Sequence, residues 1–348
     1  MIDKNYCMSS YLTFRFIEDE NINFFENMSH KIYKPKNRKY GCSNYLDIEK
    51  AIKEIVEREY IPNKTAILLS GGMDSAILAS YMPKGTKAYT LKCISDNAID
   101  ETNQAKKYTE KYDLEHKIIK ITWDDYLNLT PKLMKYDGVP IHSIEPQLLK
   151  AAIKSKEDGI EKLIIGESAD LVFGGMDKLL SKDWLFDEFV DRYTFVNPEE
   201  VLNEYISMIY IYERYRINYN KIDFLKFMDE IFSIESSTSY MHAFGYANIK
   251  YIDPYSYMFM KEPLDLHKIR SGQSKYLIRE LFKKRYPEIE VPEKIPLPRS
   301  VNDWLKNWEG PKRKEFKDDI NINNFTGDQK WLIFCLELFL NLHDEGKL

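Results

Sequence analysis

Residues 65-TAILLSGGMDSAILAS-80 decide the fold. From Thr65 to Leu69 the chain has the length and apolar character of a buried strand. The run stops at Ser70, Gly71 and Gly72, and a helical pattern begins after Asp74 and ends by Pro83. Strand, loop and helix in this order put the loop at the C-terminal end of a strand, where ligands collect in doubly wound sheets. Gly71 and Gly72 permit a tight turn with no Cβ to obstruct a close-lying ligand. Ser70 and Ser75 add hydroxyl groups, and the start of the helix favours an anion. Asp74 would repel a bare phosphate, so its natural part is to hold Mg²⁺ bridging phosphate oxygens. The loop is not the GxxxxGK[ST] loop of kinases and GTPases. It reads as a pyrophosphate–Mg²⁺ cradle, and 163-LIIGESADLVFGG-175 breaks in a similar way.

Working outward, strands are expected at 87–93, 116–121 and 161–166. Helices are expected at 100–112, around 123–135 and 146–156, and from about Ala169. Upstream, Ile48, Ile52, Ile55 and Val56 mark an amphipathic helix from about Asn44 to Glu59. This alternation predicts an α/β fold: a doubly wound parallel sheet with helices on both faces. Beyond about Lys178 no strand is expected, only aromatic-rich helices interrupted at Pro254, Pro263, Pro287 and 292-PEKIPLPRS-300. The expected organisation is an extension over 1–60, an α/β core over 61–178, and a mainly helical part over 179–348 that contributes to the active site. Within the extension, 11-YLTFRF-16 reads as a short strand and 31-KIYKPKNRKYG-41 as a basic loop.

The 348 residues carry a net charge of −5, which argues against wholesale nucleic-acid binding. No apolar run approaches the ~18–20 residues of a membrane span. The N-terminus has no secretory pattern. Cys7, Cys42, Cys93 and Cys335 are scattered without a CxxC pair, which fits free thiols in a reducing compartment. A cytoplasmic protein is expected. His116, His242 and His267 have no partners at metal-ligand spacing and read as structural.

The SGGxDS motif resembles the signature of the N-type ATP pyrophosphatases. Within them, 166-GESADLVFGG-175 is similar to a loop of asparagine synthetases and β-lactam synthetases. Asp100 and Glu101 after the second strand, 275-KYLIR-279 and 293-EKIPLP-298 resemble further family pieces. The resemblance implies ATP and Mg²⁺ as cofactors. Ser70, Gly71, Gly72, Asp74 and Ser75 would bind pyrophosphate, and Leu68 and Leu91 would border adenine. Asp74 and Asp170 would share the metal, Glu167 would transfer a proton, and Lys275 and Lys294 would neutralise charge developing on the phosphates. A substrate oxygen would attack the α-phosphate, pyrophosphate would leave, and a nucleophile would then displace AMP.

The departures bear on the substrate. Leu171 and Val172 replace a Glu-Leu pair of the family loop, and 139-VPIHSIEPQ-147 stands where asparagine synthetases bind aspartate. His142 and Glu145 there suggest another substrate. Glu145 either accepts hydrogen bonds from the edge of a guanine or simply faces a helix dipole before Pro146. Cys93 ends the second strand; it is either a small buried apolar residue or a thiolate able to carry a persulfide. Residues 1–60 do not resemble the glutaminase domain of asparagine synthetases, and Ile2 follows Met1, so the nucleophile is expected from a separate sulfur or ammonia donor protein. Three readings follow. One is sulfur transfer through Cys93 to a nucleobase or amide carbonyl, similar to thioguanine formation from a guanine nucleotide. The second is an amide-forming ligase using ammonia or an amine. The third is a nucleotide-binding module that has lost its activity.

Overall fold

The computed structural model describes residues 1–34 and 38–348, so the basic loop at 31–41 lies partly outside the described residues. Five parallel strands form the central sheet. They are Thr65–Leu68, Lys87–Cys93, Glu115–Ile121, Lys162–Ile164 and Lys250–Ile252, arranged in space third, second, first, fourth, fifth. Ile67 pairs with Ala88 on one side and with Ile164 on the other, so the first strand is central. Every residue of it is buried, as a strand covered on both faces must be. Ala66 and Leu68 face a core built with the helices Trp123–Asp137, Glu145–Glu157 and Ser233–Ala247. Ile67 and Leu69 face a second core with Tyr45–Glu59, Met73–Ala79 and Tyr276–Arg285.

The helix expected from about Asn44 spans Tyr45–Glu59. The Asn44 side chain accepts the N–H groups of Leu46 and Asp47, and Ile48, Ile52, Ile55 and Val56 are all buried. Two expectations fail. Residues 11–16 are not a strand: the helix Lys4–Phe14 runs through them, capped by Asp3 and ended by Arg15 at φ 69°. Tyr6 through Phe14 are all buried, and a segment enclosed on every side carries no periodicity to tell helix from strand. Strands also do not vanish after Lys178. Lys250–Ile252 completes the sheet, Met258–Met260 pairs in parallel with Tyr40–Cys42, and 216–218 pairs with 221–222. Pieces of two or three residues are too short to display a period of two. The C-terminal part does supply helices, chiefly Ser233–Ala247 and Gly327–Asp344. Among the described residues no helix is long and apolar enough to cross a membrane.

Candidate active site

The strand order reverses between the first and fourth strands, and the loops that follow them meet at this switch point. Gly166 packs so closely on the first loop that a Cβ there would lie 3.2 Å from the Asp74 carbonyl carbon and the Ser75 nitrogen. A cavity of about 360 Å³ opens over the two loops. Its walls come from both, from Thr90 and Leu91 on the second strand, from Arg15 and His142, from the helix that carries Glu235 and Ser236, and from residues 292–299.

The first loop holds its own shape. The Ser75 hydroxyl lies 2.9 Å from that of Ser70 and accepts the Ser70 N–H at 3.1 Å, and the Ser70 hydroxyl accepts the Gly72 N–H at 3.1 Å. Neither Gly71 nor Gly72 has a positive φ, so the glycines serve space rather than handedness. A Cβ on Gly71 would meet Glu101 at 3.1 Å. Ser70, Gly72, Asp74 and Ser75 line the cavity as expected of a phosphate loop, whereas Gly71 packs against the helix that starts at Thr102. Tyr108 donates to the Gly71 carbonyl at 3.0 Å.

Four charged groups converge beside this loop. The Lys275 ammonium lies 2.5 Å from Asp74 Oδ2 and 2.5 Å from Asp170 Oδ1. Lys294 lies 3.2 Å from Asp170 Oδ1 and donates to the Gly175 carbonyl. Lys275 sits at φ 51°, outside the usual helical range, at the residue before Tyr276–Arg285; its side chain is 4% exposed. A side chain on Gly175 would collide with Asp170 and Lys275, which explains the second glycine of the 174–175 pair. Burial raises the Asp74 carboxyl above its ordinary range and Asp170 adds to this, while Lys275 opposes it. The two aspartates thus already grip one cation, the ammonium, and the buried Oδ1 of Asp74 has no hydrogen-bond partner. This donor set fits a Mg²⁺ ion held by Asp74 and Asp170.

Glu167 also lines the cavity. It accepts from the Ser236 hydroxyl, and from the Ser168 hydroxyl at 2.9 Å. Burial raises its pKa and the two hydroxyls oppose the rise. Leu68 and Leu91 line the cavity with Thr90, as a flat apolar ring would require. His142 is also there. Its Nδ1 accepts the Ile144 N–H at 3.1 Å, so the proton sits on Nε2, 3.3 Å from Glu235. Burial holds the ring well below its usual pKa, with Arg15 and Arg299 adding to the effect, so it is neutral. Arg15 donates to Glu235 at 2.8 Å, and Arg299 is clamped by both oxygens of Asp328.

Besides Gly71, two expected residues stay out of the cavity. Glu145 is buried and turned away: its Oε1 accepts the His142 N–H at 2.8 Å, so it shapes the loop from behind. Cys93 is 3% exposed, with its sulfur 3.7 Å from Gln147 Oε1 and 3.6 Å from the Pro298 carbonyl. Burial raises its thiol pKa, the reverse of the expected thiolate. Arg15, Glu235, Ser236 and Arg299 escaped sequence reasoning. Only Arg299 carried a signal, its place beside the 293–298 motif.

The asparagine synthase family model matches residues 48–218. Among solved structures, the chain is 21% identical to the NH3-dependent NAD synthetase of Campylobacter jejuni, covering 38% of this chain and 60% of that one with a TM-score of 0.26. It is 16% identical to the U34-tRNA thiolase NcsA of Methanococcus maripaludis, covering 76% of this chain and 92% of that one with a TM-score of 0.27. The chain thus spans less than two thirds of the synthetase, and neither likeness extends to a global superposition. No curated protein matches the sequence. The glycine-rich loop and the Glu167–Gly175 loop both lie within the span, residues 48–218, that is similar to the asparagine synthase family model.

Proposed function

We propose that this protein is an AMP-forming enzyme that adenylates an oxygen of a small-molecule or nucleotide substrate and then lets a nucleophile displace AMP. The convergence of Asp74, Asp170, Lys275 and Lys294 on one end of a cavity carries this reading. Pyrophosphate would lie on Ser70, Gly72 and Ser75, with adenine toward Leu68 and Leu91. Bound Mg²⁺ would offset phosphate charge and polarise the phosphorus–oxygen bonds. Lys275, which contacts Asp74, and Lys294, which donates to the Gly175 carbonyl, would offset negative charge that grows on the departing pyrophosphate. The acceptor would occupy the end lined by His142, Glu167, Glu235 and Arg15, where Glu167 can hold or release a proton beside the reacting oxygen.

The buried thiol of Cys93 favours a nucleophile that enters with the substrate or from a donor protein: ammonia, an amine or a sulfide. Sulfur transfer through Cys93, such as thioguanine formation from a guanine nucleotide, keeps one supporting observation. The sulfur lies 3.6 Å from the carbonyl of Pro298, a residue of the cavity wall, so a shift of residues 292–299 would uncover it. The test is mass spectrometry of protein with ATP, Mg²⁺ and a panel of nucleotides and amino acids. AMP, pyrophosphate and an adenylylated acceptor are expected. Formation of ADP and phosphate instead would refute the reading.

A further inference from the structure

Outside the nucleotide site, three helices bring three side chains to one buried point. Asp137 ends the helix Trp123–Asp137, Glu145 begins Glu145–Glu157, and His242 lies within Ser233–Ala247. They are 4%, 3% and 5% exposed. His242 Nδ1 is 3.4 Å from Asp137 Oδ2 and 3.7 Å from Glu145 Oε2, and the three atoms lie within 4.8 Å of one another.

These separations are long for the charge-assisted hydrogen bonds of an imidazolium, which run to about 2.7–2.9 Å. They suit donors that share an ion. Two ligand atoms each about 2.0–2.1 Å from a tetrahedral ion stand about 3.3–3.4 Å apart. The ring's other nitrogen bears on the tautomer. Nε2 lies 3.2 Å from the Lys31 carbonyl, which can only accept, so Nε2 carries a proton. In a neutral ring Nδ1 then aims its lone pair at two carboxylate oxygens, and neither oxygen has a hydrogen-bond partner. Three converging lone pairs in a buried place require a cation. A divalent ion with two carboxylates and a neutral ring leaves no net charge, whereas an imidazolium reaches neutrality only if one of the buried carboxyls also keeps its proton. The mixed imidazole–carboxylate set suits a transition ion better than Mg²⁺ or Ca²⁺.

We propose that Asp137, Glu145 and His242 ligate a divalent first-row transition ion, of which zinc is the representative, and that this ion pins the three helices. Glu145 links the centre to the cavity, because its second oxygen holds the backbone of His142. The role is structural: none of the three side chains lines the cavity.

The test is elemental analysis of the full chain, purified without chelator from medium supplied with zinc, manganese and iron. About one equivalent of transition metal per chain is expected, with a nitrogen/oxygen shell near 2.0–2.1 Å and no sulfur in X-ray absorption. His242→Gln and Asp137→Asn should each lose the metal, whereas Asp74→Asn, which alters the nucleotide site, should keep it. Because these variants could fold poorly, wild-type protein is also unfolded in chelator and refolded with and without Zn²⁺. A higher melting temperature with Zn²⁺ is expected. Wild type without bound metal and without that rise would overturn the assignment, as would a sulfur shell or full metal retention by the His242 variant.

Discussion

Two carboxylate pairs in this protein each face one cationic position, and they differ in what can reach them. Asp74 and Asp170 hold Lys275 at the wall of an open cavity. Asp137 and Glu145 hold His242 among helices where all three residues are buried. At the open pair the positive partner can be exchanged, because substrate and solvent can enter to compensate each charge as another moves. At the sealed pair no such exchange is available, and removing one partner leaves an uncompensated charge. The comparison teaches that similar groups become chemistry or scaffolding according to access.

The largest effect expected from breaking this contrast is on the open side. Lys275→Ala should lower pyrophosphate release from ATP by about 10²–10³-fold, the cost of losing a charge that stabilises the transition state. A normal rate would remove Lys275 from the phosphate site. On the sealed side, His242→Ala in metal-free protein should cost about 3–5 kcal/mol of stability, read by denaturant unfolding, because two buried carboxylates lose their partner. A loss below ~1 kcal/mol would mean that these carboxylates are not held as charged groups.

Glu101 sharpens the comparison by being a buried carboxyl with no cation beside it among the described residues. Burial raises its pKa to about 7, opposed by the Gly71 N–H. The folded chain therefore keeps a proton that the unfolded chain releases at ordinary carboxyl pH. Stability is intact below the ordinary carboxyl pKa of ~4.5 and declines as pH rises toward the folded value. Glu101→Gln should gain on the order of 3 kcal/mol above that value and nothing near pH 4. Melting curves at the two pH values check this, and an equal shift at both would contradict it. The smallest effect is expected at Cys93. Cys93→Ser should change ATP-dependent adenylation less than about threefold, since the thiol lies outside the cavity. Abolished product formation with a sulfur donor, and retained adenylation, would restore the carrier reading.

The local grammar of strand, glycine loop and helix was legible because its causes lie within a dozen residues. Thr65–Leu68 is a short, almost wholly apolar run, Lys87–Cys93 is rich in β-forming residues, and Asn44 caps a helix whose period is plain. Asp74, Asp170, Glu167, Lys275 and Lys294 could be picked out for the same reason, each sitting in a short motif. The helix Lys4–Phe14 and the strand Lys250–Ile252 were not legible, the first because it is buried all round and the second because it is three residues long.

By itself, the sequence determined a parallel α/β core and two glycine-containing loops at strand ends, since hydrophobic period and turn chemistry are short-range properties. Only the tertiary structure decided which side chains share a cavity. It brought Arg15 to Glu235 across 220 positions, turned Glu145 away toward His242, and placed Cys93 behind Pro298. Those outcomes rest on how helices pack over an open sheet, and packing is settled by contacts between residues far apart in the chain.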